Sequence, residues 1–319
     1  MNSKPRWKSP NFLLRATLAI ALTYGLQGCA APRPGAPIAP LKAPAVDGLV
    51  SRNSDRNFEE VQKDITSTFQ DHPKVKLVAM IPHSEGAKTA QIELEPLTAF
   101  LFGNPAIGTP LMQANQTAGI DLPQKFLLEQ NSEGKTSLHF NSPDYLARRH
   151  QLGEIDLSAL EQALTKLSKK FAGEGTVRIT DAVVEAGEGL LLKKSDNDFE
   201  TTYQTLHSII NSNDKLKIMA ELDHQKNAGS IGLELGPTRL LVFGNPAVGS
   251  PLMKETSSIG IDLPQKVLVY ENPDGEVFLV ANDPAYLAKR HNLKSQDEQL
   301  GKIRGLLQKL MDGATEKAS

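Results

Sequence analysis

Few side chains in this 319-residue chain are suited to chemistry, and most of those occur twice. Of seven histidines, His83 is matched by His224 and His150 by His291, each pair 141 positions apart, while His72, His139 and His207 have no histidine counterpart. A neutral imidazole near pH 7 binds a metal or acts as a general base. Asp223, directly before His224, is placed to orient that ring through its other nitrogen. The matching position in the earlier copy is Pro82, so a site that needs the aspartate would persist only around His224. The alternative for His83 and His224 is a structural one, each ring holding its own loop by a hydrogen bond. His150 and His291 follow Arg149 and Arg290 near a helix end, where a cation offsets the helix dipole and no ligand role is needed.

A second repeated feature is the loop FGNPAIGTPLM at 102–112 and FGNPAVGSPLM at 243–253. Glycine-rich turns from strand to helix can hold an anion on the helix N-terminus, which makes Asn104 and Asn245 candidate ligand contacts. The spacing has neither the Walker lysine nor the dinucleotide glycine pattern. A structural reading accounts for the same residues: Thr109-Pro110 and Ser250-Pro251 as cap and first helical residue, and Gly119 and Gly260 as helix ends. Asp121 and Asp262 are then turn carboxylates or, alternatively, acids of a site. The candidate ligand-binding set is therefore His83, His224, Asp223, Asn104, Asn245, Asp121 and Asp262. No catalytic residue and no cofactor is named, because no serine elbow, HExxH or paired-carboxylate signature is present; a binding role is favoured over an enzymatic one.

These residues recur because the domain that carries them recurs. At a constant shift of 141, residues 54–152 lie on 195–293 without a gap, and about 40 of the 99 pairs are identical. Beyond, at a shift of 143, Leu157, Leu160, Ala163, Leu164 and Leu167 match Leu300, Ile303, Leu306, Leu307 and Leu310 at helical spacing, so each copy is expected to close with an amphipathic helix. Within a copy the pattern reads as α+β. A strand begins near Gly48, a helix runs over 58–70 from a start at Asp55, strands cover 75–81 and 97–102, and 124–129 with 135–141 form a hairpin around Gly134. A helix then follows Pro143 or Pro284. The boundaries expected are 47–171 for the first repeat domain, 172–186 for a linker, 187–312 for the second and 313–319 for a tail.

The N-terminus concerns location. Lys4, Arg6, Lys8 and Arg15 precede an uncharged, mostly apolar run at 16–26, too short for the ~20 residues that span a bilayer and suited to a secretory signal. Leu26-Gln27-Gly28-Cys29 resembles the lipobox of bacterial lipoproteins, which implies cleavage after residue 28 and a diacylglycerol on the cysteine sulfur. Cys29 is the only cysteine of the chain, so no disulfide framework competes for it. Ala30, where an aspartate would signal inner-membrane retention, implies the periplasmic face of the outer membrane. Five prolines between positions 32 and 44 make 29–46 a semi-extended tether.

Several of these motifs are shared with one family. His224 with Ala228, Leu233-Glu234-Leu235, Phe243-Gly244-Asn245-Pro246, Ile261-Asp262-Leu263-Pro264-Gln265-Lys266 and Asp283-Pro284-Ala285-Tyr286-Leu287 resemble the domain of unknown function 302 family, and the first copy matches over its full length. The resemblance implies two tandem copies of a small β-α-β4-α domain, similar to the TATA-box-binding protein in fold, and a tendency to dimerise; it implies no activity. Two such copies on one chain are expected to pair within that chain, around a concave apolar pocket lined by equivalent residues of both. A formal net charge of −2 and 5% aromatic residues offer no basic face or base-stacking platform, which sets nucleic acid aside. The partners expected are a membrane, through the lipid, and an unidentified small ligand. The alternatives are an envelope assembly protein with an exposed apolar patch on the closing helices, or a histidine-based metal protein or enzyme.

Overall fold

The computed structural model describes residues 45–317, which fall in one compact unit. The signal-like segment, Cys29 and nearly all of the tether lie outside the described residues. The first repeat runs β1 (Leu49–Ser54), α1 (Phe58–Asp71), β2 (Lys76–Pro82), α2 (His83–Thr89), β3 (Leu97–Gly103), α3 (Pro105–Ala114), a 3-10 turn (Gln116–Ile120), β4 (Gln124–Gln130), β5 (Thr136–Asn141), α4 (Pro143–Arg149) and α5 (Ser158–Ala172), followed by β6 (Val177–Ile179). The second repeats this order as β7 (Leu190–Lys194), α6 (Phe199–Asn211), β8 (Lys217–Asp223), α7 (His224–Gly229), β9 (Thr238–Gly244), α8 (Pro246–Glu255), a 3-10 turn (Ser257–Ile261), β10 (Gln265–Glu271), β11 (Val277–Asn282), α9 (Pro284–Arg290) and α10 (Asp297–Thr315). This is the expected β-α-β4-α plan, with short helices α2 and α3 inserted between strands. Both sheets are antiparallel, in the orders β2-β3-β4-β5-β1-β6 and β7-β11-β10-β9-β8.

Helix α1 shows why the outer layer forms. Phe58, Val61, Ile65 and Phe69 recur every three to four residues and are buried, while the residues between them face water. Its cap is Asn57, which accepts from the Glu60 amide at 2.9 Å, rather than Asp55. The closing helices pack on their own repeats, α5 against α1, β1 and β5 and α10 against α6, α8 and α9. The stretch expected as a plain linker adds β6 to the edge of the first sheet, pairing with β1, and buries Ala182 and Val184.

Strands β3 and β4 are buried almost throughout rather than alternately, so each sheet is covered on both faces. One face meets its own helices; the other meets the opposite repeat, whose 3-10 turn lies on β3 and β4, as the first repeat's turn lies on β9 and β10. Gly119 and Gly260 do not end α3 and α8 but allow this approach. A Cβ on Gly119 would stand 2.9 Å from Leu268 Cδ1, and one on Gly260 3.1 Å from Leu127 Cδ1. Helices α3 and α8 themselves start one turn earlier than the Thr-Pro and Ser-Pro pairs implied. Asn104 and Asn245 are the caps, accepting from the amides of Ala106 and Ala247, and Pro105 and Pro246 follow in first position. Asn-Pro and Thr-Pro both satisfy the local rule, and the apolar run Ile107, Leu111, Met112 lets the helix begin at the first.

Candidate functional site

The repeated polar residues separate into two places. Asp121, Asp262, His150 and His291 gather in the centre of the repeat interface, while Asn104, Asn245, His83, His224 and Asp223 line two grooves at its flanks.

At the centre, Asp121 Oδ2 accepts from Arg149 Nη1 at 2.7 Å and from His150 Nε2 at 2.9 Å. Asp262 does the same with Arg290 at 2.7 Å and His291 at 2.8 Å. Each arginine then crosses to the other repeat: Arg149 Nη2 donates to Asn282 Oδ1 and the Gly189 carbonyl, and Arg290 Nη2 to Asn141 Oδ1 and the Asp47 carbonyl. The lysines cross as well, Lys266 Nζ standing 3.4 Å from Asp121 Oδ1 and Lys125 Nζ 3.8 Å from Asp262 Oδ1. The hydroxyls of Tyr145 and Tyr286 meet at 2.9 Å, with Arg290 over the Tyr145 ring and Arg149 over that of Tyr286. The side-chain contacts have their mirrors in the other copy, while the carbonyls taken by the arginine Nη2 atoms differ by one position, Gly189 for Arg149 and Asp47 rather than Gly48 for Arg290; this is the pattern of a two-fold interface made within one chain.

Electrostatics follow from that geometry. The arginines and lysines beside Asp121 and Asp262 hold both carboxyls well below the usual range against the effect of burial. Burial lowers His150 and His291. They are therefore neutral donors to the aspartates, not the helix-end cations that sequence position implied. Burial, with Lys266 nearby, also pushes the Lys125 ammonium down.

His83 and His224 are 6% and 5% exposed and act across the interface. The ring of His83 donates from Nε2 to the Gly260 carbonyl of the other repeat at 3.1 Å, and the backbone of Gly119 is the corresponding neighbour of His224. Burial pushes both down to about 4. Asp223 does not orient His224; it accepts from the Lys226 amide and pairs with Arg239. Among the described residues no three His, Cys, Asp or Glu side chains gather as a metal site would require.

Each groove is built from both repeats. The larger, of about 1370 Å³, lies between β2 and α2 of the first repeat and α8, β8 and α10 of the second, and brings His83 to Asn245. The smaller, of about 420 Å³, lies between α3 and α5 of the first and β8 and α7 of the second, and brings His224 and Asp223 to Asn104. Among the residues lining the larger, Ser250 Oγ and both side-chain amide atoms of Gln265 are buried without a protein partner; Thr109 Oγ1 and Gln124 Nε2 hold the matching places in the smaller. Sequence reasoning placed Thr109 and Ser250 only as helix caps, and assigned no site role to Gln124, Gln265 or the lysines and arginines of the centre, although these last are identical pairs. The Gln-Lys at 124–125 and 265–266 is the plainest signal, since neither residue is required by a turn.

The architecture thus defines a tandem α+β repeat protein whose halves clasp each other. The chain belongs to the family of the domain of unknown function DUF302, whose pattern matches residues 50–172 and again 192–310. It is similar to the crystal structure of an uncharacterized conserved DUF302 protein from Bacillus stearothermophilus, with 18% identity over 40% of this chain and 99% of that one and a TM-score of 0.37. Among curated proteins it is 45% identical over 78 residues to a fluoride-specific ion channel, FluC 1, of Brucella suis biovar 1, covering 24% of this chain and 31% of that protein. The corresponding channel of Brucella abortus biovar 1 matches equally over 29% of its length. The chain thus spans about three tenths of these relatives.

Proposed function

We propose that this is a lipid-anchored cell-envelope protein, held by Cys29 at the periplasmic face of the outer membrane, whose two repeats form an intramolecular pseudo-dimer that binds a small ligand between them. The observation that carries the binding reading is the larger groove, mostly apolar in its walls and lined by Ser250 and Gln265, whose buried side-chain polar atoms have no hydrogen-bond partner within the protein. Buried polar atoms are nearly always satisfied, and an apolar cleft with a few convergent polar groups is the usual form of a ligand site. Anchoring rests on the lipobox-like motif and the lone cysteine; among the described residues no helix is long and apolar enough to cross a membrane.

The assembly reading needs an apolar patch on the closing helices, but the exposed large apolar side chains among the described residues are Met80, Val177, Ile179, Val183, Leu192 and Ile231, none of them on α5 or α10. Met80 lines the larger groove.

Two measurements test the proposal. Native mass spectrometry of the full-length chain, gently extracted from membranes, is expected to show a retained small molecule; its consistent absence overturns the binding reading. Cys29→Ser is expected to leave an unprocessed precursor without fatty-acid labelling, and normal labelling of that variant overturns the anchor.

A further inference from the structure

We infer that the larger groove, and not the smaller, binds a long-chain fatty acid, its hydrocarbon along the apolar wall and its carboxylate among the lysines at the rim. This rests on the groove being a ligand site, and adds the ligand's class and the choice between grooves.

The apolar wall consists of Met80, Ile218, Met219, Val248, Ile303 and Leu306, contributed by both repeats. The same groove is lined by Lys215, Lys217, Lys302 and Lys309 against a single carboxylate, Glu85. Lys302 is paired with Glu298; Lys215, Lys217 and Lys309 have no ion-pair partner among the described residues. An apolar trough with surplus cations at its edge selects a ligand that is hydrocarbon over most of its length and negative at one end.

The smaller groove is the internal control. Its charged lining is balanced, Lys76 and Lys226 against Glu221 and Asp223. In the repeat alignment Glu221 and Asp223 occupy the places of Met80 and Pro82, and Lys226 that of Glu85. Both carboxylates are fixed in position, Glu221 by the Tyr203 hydroxyl and His207 and Asp223 by Arg239, where they would repel a fatty-acid head. The helix wall differs too. Gly301 and Gly305 of α10 stand where α5 has Ser158 and Gln162, and a Cβ on either glycine would meet nothing within 4 Å. The larger groove thus has both the room for a chain and the sign of charge for its head.

The test uses the full-length chain in membranes, photolabelled with a diazirine analogue of palmitate and, in parallel, of hexadecanol. The palmitate probe is expected to label peptides containing Met80, Met219 and Leu306, and the alcohol about tenfold less, given the surplus of cations. The pair Lys215→Glu with Lys217→Glu is expected to lower palmitate labelling by about the same factor. Gly305→Trp fills the open wall and should abolish labelling, while Gln162→Trp, its counterpart on the other side, should not; unchanged thermal melting of both variants shows that the fold is kept. Palmitate labelling that survives Gly305→Trp overturns the inference. Equal labelling by acid and alcohol overturns the selection for charge and leaves the groove as a ligand site. No labelling by either probe, with a different molecule retained in native mass spectrometry, overturns the fatty acid alone; no labelling and no retained molecule overturns both readings.

Discussion

The centre of the repeat interface and its two flanks have diverged at different rates, although both are made by the same two copies. At the centre Asp, Lys, Asn, Tyr, Arg and His recur without change at 121, 125, 141, 145, 149 and 150 and again 141 residues later. At the flanks the copies keep His83, Asn104 and Gln124 as His224, Asn245 and Gln265 but part elsewhere: Met80 faces one groove where Glu221 faces the other, and Gly305 stands opposite one where Gln162 stands in the other helix. In a two-fold contact each residue serves both copies' pairing, so a change in one member leaves a buried charge unmatched. A groove belongs to one arrangement only and can change by itself. The centre is thus where the repeats hold each other, and the grooves are where they have been free to specialise.

If that division is right, the largest effect comes from the centre. Asp121→Leu removes the partner of Arg149, His150 and Lys266 at once, and breaking such a buried pair costs about 3–5 kcal/mol. Denaturant unfolding should show this loss, and Asp262→Leu should match it. A cost below about 1 kcal/mol, the level of an exposed ion pair, would mean that pairing of the repeats depends on apolar contact instead.

The histidines give the next largest effect and the direction is set by burial. Because His83 and His224 have folded values of about 4, below the ordinary 6.5, folding favours the neutral ring. Their contribution is complete above pH 6.5 and is lost as the pH falls from there toward 4, amounting to about 3 kcal/mol for each ring. Asp121 and Asp262, lowered in the folded state, add a loss in the same direction at more acid pH. Stability measured by urea unfolding should fall through this window, and the double variant His83→Gln, His224→Gln should flatten the fall. An unchanged slope would show that the rings titrate freely.

The smallest effect on stability should come from the grooves. Met80→Glu copies the residue of the smaller groove into the larger at a position that is 42% exposed, and surface changes of this kind stay within about ±0.5 kcal/mol. Retention of the groove's ligand should nevertheless be lost. A substitution that instead unfolds the chain would make the groove part of the structural core and erase the contrast.

Much of the frame was legible in the residues alone. The constant 141-residue shift, the 3.6-residue spacing of Phe58, Val61, Ile65 and Phe69, and the turn at Gly134 are local signals, and the structure has the two domains, the helix and the hairpin that they imply. The histidines were legible as important and not in their role. His83 reads as a loop residue next to a strand, and only the fold shows the carbonyl of Gly260, 177 positions away, against its ring. Asp223 reads as the partner of His224 because they are adjacent, whereas the strand pairing of β8 with β9 delivers Arg239 to it. Gly119 fits the rule for a helix end, and its reason lies in Leu268 of the other copy.

What the sequence determined by itself is what depends on neighbours along the chain: the elements, the repeat, and the presence of a lone cysteine behind an apolar run. The tertiary structure decided which copies of the paired residues meet. At the centre each aspartate pairs with the arginine and histidine of its own repeat, the arginines, lysines and tyrosines then join one repeat to the other, and both grooves mix walls from each. Two identical motifs in a chain do not say whether each completes its own site or exchanges parts with its twin. That is settled by burial, since the face of each sheet left bare by its own helices is apolar, and the other copy is the surface that covers it.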